Sequence, residues 1–222
     1  MISTVNLSKS YREGNRTVAV LKGLDFSLRS GKKIGIAGAS GVGKSTLLHI
    51  LGGLDQPTEG RVEVEGENFY QLGETKRAAL RNRFFGFVFQ FYHLLPELSA
   101  LENVMLPALI AGNSKSEAAK KASVILEKVG LKDRTKHLPS QLSGGEQQRV
   151  AVARACILKP KVILADEPTG NLDEKTGAEV LGYLHTVVKD AGGSLVLVTH
   201  NRDLLKTMDE NYELKDGTLW KS

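Results

Sequence analysis

Two kinds of hydrophobic run succeed one another along this 222-residue chain. Near the N-terminus apolar and polar positions alternate with a period of two. Ile2 to Leu7, Val18 to Leu21 and Leu24 to Leu28 do so, and then Arg61-Val62-Glu63-Val64-Glu65-Gly66. This alternation predicts half-exposed strands of an antiparallel region. Elsewhere the apolar runs are unbroken: Ile34-Gly35-Ile36-Ala37, Phe85 to Phe89, Val162-Ile163-Leu164-Ala165 and Leu195-Val196-Leu197-Val198. The last two are continuous enough to mark parallel strands covered on both faces. Between these runs the spacing becomes helical, with stripes at Leu47, Leu48, Ile50, Leu51, at Val150, Ala153, Cys156, Ile157, and at Val180, Leu181, Leu184, Val187, Val188. Ser114-x-x-Glu117 predicts a helix start that turns Ala118, Ala122, Val124, Ile125 and Val129 to one side and stops at Gly130. Asp216-Gly217 predicts a hairpin turn.

The pattern implies an α/β fold with a central, mainly parallel sheet, an N-terminal antiparallel β subdomain and an inserted α-helical subdomain. We expect a single domain over 1–222, with 1–90 and 146–222 forming the core and the antiparallel region, and about 91–145 forming the helical insertion. No internal repeat or long linker interrupts it.

Composition narrows the function classes. With 41% apolar and 25% charged residues the chain has an ordinary globular make-up. The net charge of +5 is scattered, with no basic run longer than Lys32-Lys33 or Lys120-Lys121, so we expect no nucleic-acid partner. One cysteine, Cys156, excludes an internal disulfide and lies in a helical apolar stripe, where packing is its expected role. No window approaches the ~18 continuous apolar residues of a membrane span, and the N-terminus has no signal-peptide pattern. If the protein serves transport, another chain must form the pathway.

The chemistry lies at the ends of the predicted strands. Gly38-Ala39-Ser40-Gly41-Val42-Gly43-Lys44-Ser45 follows a strand and precedes a helix, matching the phosphate loop in full. Its backbone N–H groups would wrap phosphate, Lys44 would reach the outer oxygens, Ser45 would ligate Mg²⁺, and Thr46 would add a contact. Asp166 and Glu167 end a buried strand, where ligand sites of open α/β sheets lie. Asp166 is expected in the Mg²⁺ shell. Glu167 is expected to face the attacking water as general base or water-orienting group. Gln90, His200, Asp173 and Tyr11 are each weaker. Gln90 is a candidate for Mg²⁺ or water, or a loop residue bonding to backbone. His200 is a candidate for the γ-phosphate, although a lone strand-end histidine is more often structural. Asp173 is equally an N-cap of the next helix. Tyr11 is a candidate for stacking on adenine, or an ordinary β-region aromatic.

Leu142-Ser143-Gly144-Gly145-Glu146-Gln147-Gln148-Arg149 is the most specific stretch. Ser143-x-x-Glu146 is a capping box, and the small Gly144 and Gly145 would let an anion approach the first turn. It reads as a second phosphate-binding helix terminus.

In the order Tyr11, phosphate loop, Gln90, LSGGEQQR, VILADE, NLD, His200, the chain resembles the nucleotide-binding subunits of ATP-binding cassette (ABC) transporters, over essentially its whole length. The resemblance implies a P-loop ATPase using ATP and Mg²⁺, paired head to tail with a second copy of itself. Ser143, Gly144, Gly145 and Glu146 of one copy then act on the nucleotide held by the other, and Asp173 couples the two sites. Gln90-Phe91-Tyr92-His93-Leu94-Leu95-Pro96 through Val104 is similar to the lipoprotein-releasing branch, with macrolide-efflux ATPases, antimicrobial-peptide exporters and cell-division-type signalling ATPases as alternatives. It implies a transmembrane permease contacting Phe91, Tyr92, Leu94 and Leu95, and a place on the cytoplasmic face of the inner membrane.

Overall fold

In the computed structural model, residues 1–14 and 16–222 are described. They divide into two compact units, Met1–Arg81 with Ser194–Ser222, and Asn82–Gly193.

The first unit contains the antiparallel region. β1 (Ile2–Glu13) pairs with β2 (Arg16–Leu28) on one side and β4 (Glu59–Val64) on the other, and β5 (Glu67–Asn68) follows β4. Period-two patterning decides which side chains enter the core: Ile2, Leu7, Leu21, Leu24, Phe26, Leu28, Val62 and Val64 are all buried. The segments around Leu21 and Leu24 form one strand rather than the two expected. Leu24 pairs with Leu7 and Leu21 with Lys9, so β2 carries one extra residue there. Gly23 absorbs it at φ 61°, a bulge that bends the strand without ending it.

The same unit holds β3 (Lys33–Ala37) between β8 (Ser194–Thr199) and β9 (Glu210–Lys215), all parallel, and β10 (Thr218–Lys221) pairs antiparallel with β9. The β9–β10 turn has Asp216 at φ 52° and Gly217 at φ 81°, the paired left-handed residues of the expected hairpin. α1 (Lys44–Leu51) follows β3 and buries Leu47, Leu48, Ile50 and Leu51.

α2 (Glu74–Phe84) was not legible as a helix. Its sequence, ETKRAALRNRF, has no apolar stripe, and only Phe84 is buried.

The second unit carries the parallel pair β6 (Phe85–Val88) and β7 (Val162–Asp166), with α3 (Ala100–Ile110), α4 (Lys115–Lys128), α5 (Gly144–Cys156) and α6 (Glu174–Asp190). Val162 to Ala165 are fully covered, as an unbroken apolar run requires. In α4, Ala118, Ala122 and Val129 turn inward as expected, but Val124 is 53% exposed. It stands two residues from Ala122, about 200° around a helix of 3.6 residues per turn, so it cannot share that face.

Candidate functional site

The first unit contributes a loop built to hold phosphate. β3 ends at Ala37, and the chain turns through Gly41 at φ 77° and Gly43 at φ 108° into α1. Gly43 is required twice over: its φ is left-handed, and a Cβ there would lie 2.6 Å from Val20 Cγ1. Gly43 is also the N-cap of α1, and no side chain caps that helix. The contrast is internal to the protein, because α3, α4, α5 and α6 are capped by Ser99, Ser114, Ser143 and Asp173. A helix terminus with uncapped first-turn N–H groups and its positive dipole end is an anion site. Lys44 is only 6% exposed, and its Nζ donates to Gly38 O at 2.8 Å and Ala39 O at 2.9 Å. The loop's own carbonyls therefore hold the ammonium at the helix terminus. Ser40 and Ser45 are exposed, while Thr46 is half-buried.

Thr46 lies near enough to Tyr11 to act against the rise in its pKa. Tyr11 in turn donates to Asp55 Oδ2 at 2.7 Å, and the Lys9 ammonium lies 4.8 Å from its ring centroid. Burial raises the Tyr11 pKa above its ordinary value, and Asp55 adds to that. Lys9 thus occupies one face of the Tyr11 ring. β8 runs parallel to β3 with Thr199 opposite Ala37, so the exposed His200 leaves its strand at the end from which the phosphate loop departs.

The second unit gathers the carboxylates. β6 and β7 are parallel, with Val88 opposite Ala165, so Gln90 and the Asp166-Glu167 pair emerge at one end. Glu167 sits at φ 44°, in the left-handed region where a non-glycine residue is strained. Its carbonyl accepts from Gly170 N–H at 3.0 Å, closing a tight turn. Gln90 Nε2 donates to Asn171 Oδ1 at 3.0 Å, and Asn171 Nδ2 returns a bond to Gln90 O at 3.1 Å. Gly170 makes room for this pair, since a Cβ there would lie 2.9 Å from Gln90 Nε2. Asp173 caps α6, accepting from Thr176 N–H at 3.0 Å. The Thr176 hydroxyl and then its N–H hold the Asp173 carboxyl below the ordinary range.

Gln148 was not legible as a site residue. It is wholly buried, and its Nε2 donates to Pro168 O at 2.6 Å and Phe89 O at 3.2 Å. These carbonyls immediately precede Gln90 and follow Glu167. α5 is thereby pinned to the loops that carry Gln90 and Glu167. Its only sequence signal was a polar residue three and four places before Ala151 and Val152, both of which are buried.

α5 opens as expected. Ser143 caps it, accepting from Glu146 N–H at 3.3 Å, while Ser143 N–H donates to Glu146 Oε2 at 2.8 Å. Ser143 is exposed. The glycines after it have a further reason to be small. A Cβ on Gly144 would lie 2.9 Å from the Tyr92 hydroxyl, and one on Gly145 would lie 2.3 Å from Thr176 Cγ2. Both of Glu146's carboxylate oxygens have partners within the chain, Ser143 N–H and Arg134 Nε at 3.0 Å.

The segment after Gln90 is held from beneath. Arg154 donates to Tyr92 O at 2.7 Å and His93 O at 2.5 Å. The fully buried Asn103 accepts from Leu95 N–H at 2.8 Å and donates to the carbonyls of Leu95, Leu98 and Ser99. Above these clamps Phe91 is 67% exposed and Leu95 is also exposed, while Tyr92 and Leu94 are half-buried. Cys156 packs in the core, and burial pushes its thiol up to about 12. Among the described residues no helix is long and apolar enough to cross a membrane, and no cluster of three or more His, Cys, Asp or Glu forms a metal cage. Ser45 in the first unit and Asp166 and Gln90 in the second each carry a side-chain oxygen of the type Mg²⁺ takes.

A phosphate loop, a strand-end Asp-Glu pair and a serine-capped LSGGEQQR helix together define a cassette ATPase. The family model for ABC transporters matches residues 21–170, and the chain belongs to that family as an ATP-hydrolysing cassette. Among curated relatives, the lipoprotein-releasing system ATP-binding protein LolD of Geobacter metallireducens is 52% identical, covering 98% of this chain and 96% of that one. LolD of Legionella pneumophila strain Lens is 49% identical over 99% of this chain and 97% of its own. Among solved structures, the dimeric post-hydrolysis state of the ATP-binding cassette MJ0796 bound to ADP and Pi superposes with a TM-score of 0.91 at 38% identity, covering 99% of this chain and 96% of that one.

Proposed function

We propose that the chain is the ATPase of a lipoprotein-releasing transporter, working as a head-to-tail pair on the cytoplasmic side of the inner membrane. The observation that carries the motor reading is the internal contrast among helix termini: α1 alone of these five has no side-chain cap, and a buried lysine is held at its start. In this reading Gly38 to Thr46 cradle the ATP phosphates, Lys44 neutralises the outer oxygens, and Tyr11 offers its other ring face to adenine. Ser45, Asp166 and Gln90 would hold Mg²⁺, which when bound offsets charge developing on the phosphate oxygens. Glu167 orients the attacking water and takes up its proton, and His200 contacts the terminal phosphate. The backbone of Gly144 and Gly145 and the Ser143 hydroxyl face the partner copy's nucleotide, with Glu146 holding the cap and Asp173 linking the two sites. The single cassette spans 1–222, with residues near 91–145 as its helical arm.

The permease contact falls on Phe91, Tyr92, Leu94 and Leu95. A large exposed aromatic on a backbone fixed by Arg154 and Asn103 is a preorganised docking surface, since little entropy remains to be lost on binding. The lipoprotein-releasing reading is supported by relatives about half identical over nearly the whole chain. The macrolide, antimicrobial-peptide and cell-division-type alternatives have no comparable support. Purifying the chain from detergent-solubilised membranes and identifying what accompanies it tests this. We expect a permease with bound lipoprotein, and Phe91→Asp should remove the permease while leaving ATP binding intact. Recovery of a permease loaded with drug or peptide would overturn the cargo assignment.

A further inference from the structure

Among the described residues three helices start with the same Ser-x-x-Glu capping box, and one of the three differs. In the boxes at Ser99 and Ser114 the serine hydroxyl donates to its glutamate, Ser99 Oγ to Glu102 Oε2 at 2.6 Å and Ser114 Oγ to Glu117 Oε2 at 2.8 Å. The backbone bonds match across all three: serine N–H to glutamate Oε2 at 2.8–2.9 Å, and glutamate N–H to serine Oγ at 3.3 Å. At Ser143, however, the hydroxyl makes no bond of that geometry to Glu146 among the described residues, and only a weaker pull on the carboxylate remains. Instead Glu146 presents its other oxygen, Oε1, to Arg134 Nε at 3.0 Å. The order of influences on the three carboxyls agrees. The serine hydroxyl leads in holding Glu102 and Glu117 below their ordinary range, whereas for Glu146 the Ser143 N–H leads and the hydroxyl ranks behind Arg134.

The chemical consequence concerns one proton. A serine hydroxyl has a single donor hydrogen. In the first two boxes it is spent inside the cap. An anionic carboxylate facing the hydroxyl would both capture that hydrogen and repel an approaching phosphate. A guanidinium on the carboxylate's far side turns the acceptor away and offsets its charge. We propose that Arg134 is a positioning residue: by engaging Glu146 it keeps the Ser143 hydroxyl hydrogen available for an anionic phosphate oxygen presented by a second copy of the chain. The inference rests on the reading that Ser143 acts on the partner's nucleotide. Arg134 touches no reacting atom in this role and works through Glu146 alone.

A double-mutant cycle on the full chain separates the possibilities. Each variant is placed in a Glu167→Gln background, and nucleotide-driven pairing is followed by size exclusion across an ATP series, with melting temperature as a check on folding. Ser143→Ala and Arg134→Ala should each raise the ATP concentration needed for pairing by about tenfold, the scale of one hydrogen bond to a charged group. The double variant should be no worse than Ser143→Ala alone, because both changes remove the same bond. Arg134→Lys, which keeps a donor for Glu146, should restore most of the pairing. If Ser143→Ala has no effect, the reading of Ser143 fails and the inference with it. If Ser143→Ala weakens pairing but Arg134→Ala does not, or if the two losses add, the inference alone is overturned. If Arg134→Ala does not fold, Arg134→Lys against Arg134→Gln gives the same comparison. Equal pairing by these two refutes the role.

Discussion

At the scale of single residues the chemistry concentrates on groups whose neighbours have already committed them. Lys44 is held by the two carbonyls of Gly38 and Ala39, and Gln90 by Asn171. Such preorganisation is what a phosphoryl-transfer site uses, since positioning and electrostatics supply most of its rate. Glu167 is different in kind. Its strained φ of 44° places a carboxylate just past the end of β7, at a cost typically ~1–3 kcal/mol for a residue held in a sparsely populated region. Glu167→Gln keeps the shape and removes the basic oxygen. We expect turnover in that variant to fall at least about a hundredfold, the scale of general-base loss, while ATP still binds and drives pairing. ATP turnover and nucleotide-driven pairing measured on one preparation check this, and full turnover would remove Glu167 from its role. The acidic pair and the glycine-rich loop were legible in the sequence because their residue types and spacing, at strand ends and before a helix, form a recognisable pattern. Gln148, Asn171, Arg154 and Asn103 were not. Gln148, Asn171 and Arg154 bond to loops distant in sequence and Asn103 to the irregular turn before its own helix, and no spacing encodes either.

At the scale of elements, the two signature glycines show how one residue type serves packing and chemistry together. Gly145 packs against the first turn of α6, with room for a Cβ lacking because of Thr176 Cγ2 alone. Gly145→Ala should therefore destabilise the protein by about 1–3 kcal/mol, the usual cost of an overpacked site. Thr176→Ala in the same chain should recover most of that loss in urea unfolding. An unrecovered loss would assign the cost to something other than this contact. The caps carry a pH signature. Glu102, Glu117, Glu146 and Asp173 are all held below their ordinary carboxyl range by cap hydrogen bonds. A carboxyl depressed in the folded state contributes stability above its unfolded pKa, about 4, and loses that contribution as pH falls through its folded value. The melting temperature should thus drop as pH falls from about 5 to 3, and Glu102→Gln with Glu117→Gln should flatten that slope. An unchanged slope would show that the caps are not the titrating groups. Buried strands, capped helices and the Asp216-Gly217 hairpin were readable because local pattern and turn chemistry fix them. α2 and the continuity of β2 were not. A polar helix has no stripe to read, and a glycine bulge resembles a strand end until its partner strand is known.

At the scale of the whole molecule, the central claim is that neither the phosphate loop nor the LSGGEQQR helix acts on a nucleotide with its own chain alone. The protein carries two anion-ready helix starts that differ in preparation. α1 is uncapped and charged by Lys44, and α5 is capped by a serine whose hydroxyl accepts from Glu146 N–H. One chain thus supplies two half-sites of different design, which is the arrangement a head-to-tail pair requires. The decisive measurement is complementation between two inactive variants, Lys44→Ala and Ser143→Arg. Each alone should fail to occlude ATP. Mixed, they form a pair in which one nucleotide meets the intact phosphate loop of the Ser143→Arg chain and the intact signature of the Lys44→Ala chain. The account predicts that the mixture regains occluded ATP, one nucleotide per mixed pair. If mixing restores nothing while each variant remains folded and able to pair with the unaltered chain, the two half-sites do not act across the pair, and the account is wrong.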